Sequence, residues 1–127
     1  MNDLIIEGTK KTAEVRFQKD GLLIIRGRSI PEDPVRFFSQ LQEWLDEYSK
    51  NPAQKTILHI EFEYFNSGTS KALLSILKAV IDLKQNGHDV VIRWCYESGD
   101  DDIYERGGYY ASLFETEFEF VEINIEN

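Results

Sequence analysis

The chain has 127 residues, a formal charge of −9, 42% apolar residues and 13% aromatics. This is enough apolar material for a packed core and too much for a disordered chain, while the acidity opposes binding to nucleic acid or an anionic membrane. The single cysteine, Cys95, excludes an internal disulfide and suits a reducing compartment.

The start, Met1-Asn2-Asp3-Leu4, shows no basic region followed by an apolar run, and no stretch is apolar over the length of a membrane span. A cytoplasmic protein is expected. Without repeats, low-complexity tracts or a Pro/Gly/Ser-rich linker, the chain reads as a single domain over residues 1–127.

Short strands are expected over residues 3–7 and 12–19, with a third from Gly21 to Gly27 after a tight turn at Asp20-Gly21. Ser29-Ile30-Pro31-Glu32-Asp33-Pro34 opens a helix, with Asp33 as cap and Pro34 in its first position. Val35, Phe38, Leu41, Leu45 and Tyr48, with Trp44 alongside, form its apolar stripe, and Asn51-Pro52 ends it.

Ile57 to Phe65 reads as the central strand. It runs into the hydroxyl-rich turn Asn66-Ser67-Gly68-Thr69-Ser70 and a second helix from about Thr69 to Asn86, closed by Gly87. A strand from His88 to Tyr96, a third helix carrying Ile103, Tyr110, Ala111 and Phe114, and a last strand from Phe118 to Ile125 complete the chain.

Leu58, Ile60, Phe62 and Tyr64 alternate with His59, Glu61 and Glu63. Val90, Ile92, Trp94 and Tyr96 do so around Arg93, and Ala13, Val15 and Phe17 around Glu14 and Arg16. Strand side chains alternate between faces, so one sheet face is apolar and the other charged. Strands covered by helices on both faces would read as continuous apolar runs. The expected fold is a two-layer α/β structure: a mixed β-sheet with helices mainly on one face, and Glu61 and Glu63 near Arg93 on the other.

No catalytic constellation stands out. His59 and His88 are placed beside neither Cys95 nor a serine by any motif, and Glu61 with Glu63 suits ion pairing better than acid–base work. Asp100-Asp101-Asp102 with Glu105 lacks the spacing and glycine of a calcium loop and reads as a helix start. Gly107-Gly108 either allows close packing or kinks the third helix. Phe37, Tyr104 and Tyr109 lie off the stripes as a potential docking surface. No catalytic residue, metal site or cofactor is expected.

The turn before the second helix is the exception. Ser, Thr and Asn are ordinary capping residues, yet a helix start also offers unpaired N–H groups and partial positive charge to an anion, including a covalently attached phosphate. A phosphate on the Ser67 hydroxyl would add about −1.5 to −2 charges there.

Gly27-Arg28-Ser29-Ile30-Pro31-Glu32-Asp33, Trp44, Tyr64-Phe65-Asn66-Ser67-Gly68-Thr69-Ser70-Lys71-Ala72, Val91-Ile92-Arg93-Trp94-Cys95-Tyr96 and Asp101-Asp102-Ile103 occur in this order. On these segments the chain resembles the SiaC family of bacterial regulatory phosphoproteins, relatives in fold of the STAS anti-anti-sigma-factor domains. The resemblance implies partner switching. A kinase of the histidine-kinase-like ATPase type phosphorylates the hydroxyl directly after the asparagine, and a PP2C-type phosphatase removes the phosphate. The unmodified form binds and regulates an effector such as a diguanylate cyclase.

That position is Ser67 here, where the family has threonine. Thr69 and Ser70 are secondary alternatives, and Asn66, Ser67, Gly68, Thr69, Ser70 and Lys71 form the implied partner-binding segment. Two other readings compete: a constitutive adaptor whose turn is only a cap, and a small enzyme using the His59/Glu61/Glu63 face, which would need a ligand-sized pocket there.

Overall fold

Period-two alternation decides how the layers are arranged. The computed structural model describes residues 1–124. Six strands form one sheet: β1 (Leu4–Ile6), β2 (Glu14–Phe17), β3 (Leu22–Ser29), β4 (Lys55–Phe65), β5 (Asp89–Glu97) and β6 (Glu119–Ile123). Three helices join the later strands: α1 (Pro34–Tyr48), α2 (Ser67–Gln85) and α3 (Asp101–Leu113). Residue 125, expected in the last strand, lies outside the described residues.

The spatial order is the chain order, β1 to β6; the first two neighbouring pairs are antiparallel and the other three parallel. Parallel crossovers are right-handed, so strands added in one direction put all their helices on the same face. Phe17, Leu23, Leu58 and Ile92 lie side by side across the sheet, buried on that face. Trp44 of α1 packs edge-on against Phe17, and Tyr110 of α3 packs at a tilt against Trp94. Leu73, Ile76, Leu77, Val80 and Leu83 bury the inner side of α2. The sheet is mixed and the helices form a single layer, as the alternation implies.

The helix ends are chemically defined. Asp33 caps α1 by accepting from Arg36 N at 3.1 Å, and Pro34 occupies its first turn. Asp100 caps α3 by accepting from Ile103 N at 3.1 Å, so the aspartate run is a helix start. Gly87, with a φ of 93°, follows α2 in the left-handed region that closes helices.

Four expectations need correction. Val35 is 79% exposed and does not belong to the buried stripe of α1. Phe37, expected off the stripe, is partly buried and packs edge-on against Phe38. Tyr64 is exposed and Phe65 buried, because a β-bulge pairs Gly27 with Phe62 but Arg28 with Tyr64, and the extra residue, Glu63, shifts the alternation. The charged ladder is also partnered differently. Arg93 lies 3.4 Å from Glu119, Glu63 3.7 Å from Arg28 and Glu61 3.0 Å from His59.

Gly107 shows why α3 lies so close to the sheet. A Cβ there would sit 2.5 Å from Trp94 Cδ1, and Trp94 is fully buried with its indole N–H donated to Ile103 O at 2.9 Å. The glycine pair thus serves close packing at Gly107, whereas a Cβ at Gly108 meets nothing within 4 Å. Gly107→Ala is expected to cost about 1–3 kcal/mol through overpacking. Gly108→Ala should be neutral or stabilising by up to about 1 kcal/mol. Urea unfolding midpoints of the two variants check the contrast.

A candidate switch site at the start of α2

The bulge delivers β4 into α2 with its last residue facing inward. Phe65 is fully buried against Trp94, and Arg106 of α3 stacks over its ring at 4.6 Å while donating to its carbonyl at 3.1 Å. Asn66 follows as the cap, its side-chain oxygen accepting from Thr69 N at 3.0 Å. The helix therefore starts at Ser67, two residues earlier than the sequence suggests.

Three hydroxyls share this first turn but have different surroundings. Thr69 is fully buried: its hydroxyl donates to Ser29 O at 3.1 Å and accepts from Ser29 Oγ at 2.8 Å. Asn66 N donates to the same carbonyl at 3.0 Å. Ser70 is partly buried and faces Tyr110, whose phenol donates to Ser70 O at 2.7 Å and lies 2.8 Å from Ser70 Oγ. Burial pushes the Tyr110 phenol above its ordinary value, which keeps it a donor. Ser67 is exposed, and its hydroxyl has no hydrogen-bond partner among the described residues.

Gly68 brings the starts of α1 and α2 together. A Cβ at this position would lie 2.7 Å from Pro34 Cγ, so a larger residue would push the two helix starts apart. From that contact a groove of about 950 Å³ runs between α1 and α2, lined by Val35, Ser39, Lys71 and Ser75 among others. Lys71 has no ion-pair partner among the described residues, whereas Arg106 is paired with Asp102 at 3.3 Å. Tyr64, Tyr104 and Tyr109 are exposed at 46%, 46% and 63%.

The opposite sheet face carries the other residues singled out from the sequence. Glu14 accepts from Arg26 at 2.9 Å, and that bond holds its carboxyl below the ordinary range. Beside it, the parallel register pairs His59 with Arg93 and Glu61 with Cys95. Contrary to expectation His59 does lie beside the cysteine, 3.7 Å from Nε2 to Sγ.

This is not an activated nucleophile pair. Cys95 is 1% exposed, and burial, with the Glu61 charge second, raises its thiol to about 11. A hollow of about 150 Å³ borders Glu61, Glu63 and Cys95, well below the roughly 300–1,000 Å³ of small-molecule pockets. Nothing in sequence spacing announces the His59–Cys95 contact, which strand register alone creates.

A family model described as SiaC family regulatory phosphoprotein matches residues 6–123, and the chain belongs to that family. It is similar to SiaC of Pseudomonas aeruginosa, with a TM-score of 0.82 and 25% identity over 98% of this chain and 100% of that one. A second solved structure is the P. aeruginosa diguanylate cyclase SiaD in complex with its activator SiaC. It matches at a TM-score of 0.83 and 26% identity, over 97% of this chain and 100% of that one. An uncharacterized protein of P. aeruginosa strain UCBPP-PA14 is 28% identical over 106 residues, 83% of this chain and 84% of the relative.

The surroundings of the hydroxyls predict different costs of removal. Thr69→Val leaves buried Ser29 groups short of a partner and should cost about 1–3 kcal/mol. Ser67→Ala should stay within about 0.5 kcal/mol of the parent, as surface substitutions do. Thermal or urea unfolding of both variants checks the order.

Proposed function

We propose that this protein is a non-enzymatic regulator that switches partners through reversible phosphorylation of Ser67. In this reading the unmodified chain works in the cytoplasm as one domain. It binds and regulates an effector through the segment Asn66 to Lys71 and the adjoining α1–α2 groove. The effector is a diguanylate cyclase, by analogy with the SiaD–SiaC complex. A kinase of the histidine-kinase-like ATPase type adds the phosphate and a PP2C-type phosphatase removes it.

The observation that carries this reading is the contrast among the three hydroxyls. Thr69 is sealed and doubly bonded and Ser70 is engaged by Tyr110, while Ser67 is exposed and unbonded among the described residues. The capped helix start also tolerates negative charge, because the N–H groups of its first turn point toward it.

Phosphate within a protein–protein surface adds a double charge that must be desolvated, at several kcal/mol unless cations meet it. Each 1.4 kcal/mol of that cost changes occupancy about tenfold. Ser67→Asp is therefore expected to weaken binding to the cyclase by at least about tenfold. Ser67→Ala binds like the parent and resists the kinase. Quantitative binding to the purified cyclase decides, and equal affinity of the two variants would remove the mechanism.

A further inference from the structure

The outer face of the sheet gathers three metal-ligating side chains that the switch does not use. His59 and Glu61 alternate along β4, and Cys95 lies beside Glu61 on β5. Their ligand atoms all fall within 4.8 Å of one another: His59 Nε2 is 3.0 Å from Glu61 Oε1 and 3.7 Å from Cys95 Sγ. Atoms held about 2.0–2.3 Å from one tetrahedral zinc ion stand roughly 3.3–3.6 Å apart, a spacing that these two distances bracket, while the cluster as a whole, spread over up to 4.8 Å, has to tighten around the ion.

A second observation concerns the space beside the cluster. The hollow of about 150 Å³ borders Glu61 and Cys95 and is lined by two further carboxylates, Glu63 and Glu97. Its one cation, Arg26, is already bonded to Glu14 at 2.9 Å. Such a hollow favours a cation and leaves room for water in a fourth position.

We propose that His59, Glu61 and Cys95 form a binding site for a thiophilic divalent cation of the zinc class, with one position open to the hollow. One thiolate, one imidazole and one carboxylate form a ligand set suited to zinc rather than to magnesium or calcium.

Proton positions define what binding requires. Arg93 donates to His59 Nδ1 at 3.3 Å, so in the metal-free chain the imidazole proton resides on Nε2 and is donated to Glu61. On metal binding the Cys95 thiol proton goes to solvent, and the imidazole proton moves to Nδ1 so that Nε2 can ligate. An N–H at Nδ1 then faces the Arg93 donor, and Arg93 must withdraw to Glu119, which already lies 3.4 Å from its Nε. Arg93 therefore opposes binding, and removing it helps.

The test is Zn²⁺ titration of the folded chain in competition with a chromophoric chelator, with Co²⁺ substitution to report thiolate ligation. One ion per chain is expected, with a thiolate-to-cobalt charge-transfer band that Cys95→Ser abolishes. His59→Gln and Glu61→Gln weaken Zn²⁺ binding by at least about tenfold. Arg93→Gln strengthens it, an outcome that a purely structural ion-pair cluster does not produce. Circular dichroism of each variant confirms folding, and Arg93→Gln keeps all three ligands should another variant fail to fold. Binding no tighter than that of a weak surface site, or binding unchanged in Cys95→Ser and His59→Gln, overturns the proposal.

Discussion

A buried pair of hydroxyls, Ser29 at the end of β3 and Thr69 in the first turn of α2, stands 2.8 Å apart and ties the start of α2 to the end of β3. Both side chains are fully buried, and the Ser29 carbonyl also receives the Thr69 hydroxyl and the Asn66 N–H. Polar groups so deeply buried cost free energy unless each finds a partner, so the arrangement is tightly specified. With Thr69 fixed inward and Asn66 capping, helical geometry leaves the side chain of Ser67 outside. The start of α2 thus combines a tightly bonded frame with one hydroxyl, that of Ser67, left unbonded among the described residues. Charge added to that hydroxyl changes what a partner meets without requiring the frame to move.

The outer sheet face follows another logic. There β4 and β5 set His59, Glu61, Arg93 and Cys95 into mutual contact by register, and the charges are largely matched across strands. The hollow of about 150 Å³ beside Glu61 and Cys95 is well below the roughly 300–1,000 Å³ of small-molecule pockets, so the ligand-sized pocket that an enzyme on this face would need does not appear there. The helix layer carries the α1–α2 groove and the exposed start of α2, the surface assigned to the partner in the proposed function.

Much of the fold was legible because alternation and capping are local. Leu58, Ile60 and Phe62 announced a sheet with one apolar face, and Asp33-Pro34 and Asp100 announced helix starts. The bulge at Glu63 was not legible, since it depends on how Gly27 and Arg28 meet the neighbouring strand, and Tyr64 was therefore placed on the wrong face. Val35 misled for a similar reason: it follows the helical period, yet it stands 79% exposed in the lining of the α1–α2 groove.

The candidate site divides the same way. The Asn66–Ser70 turn was visible as a run of hydroxyls before a helix. Which hydroxyl is free depends on Ser29 and Tyr110, each forty positions from its partner, and no local pattern records that. The decisive measurement is fragment-level mass spectrometry of the chain after incubation with a kinase of the histidine-kinase-like ATPase type and ATP. The account predicts a single phosphate on Ser67, with the amide spectrum of the core unchanged. Phosphate on Thr69 or Ser70, or modification only after the domain unfolds, would contradict it.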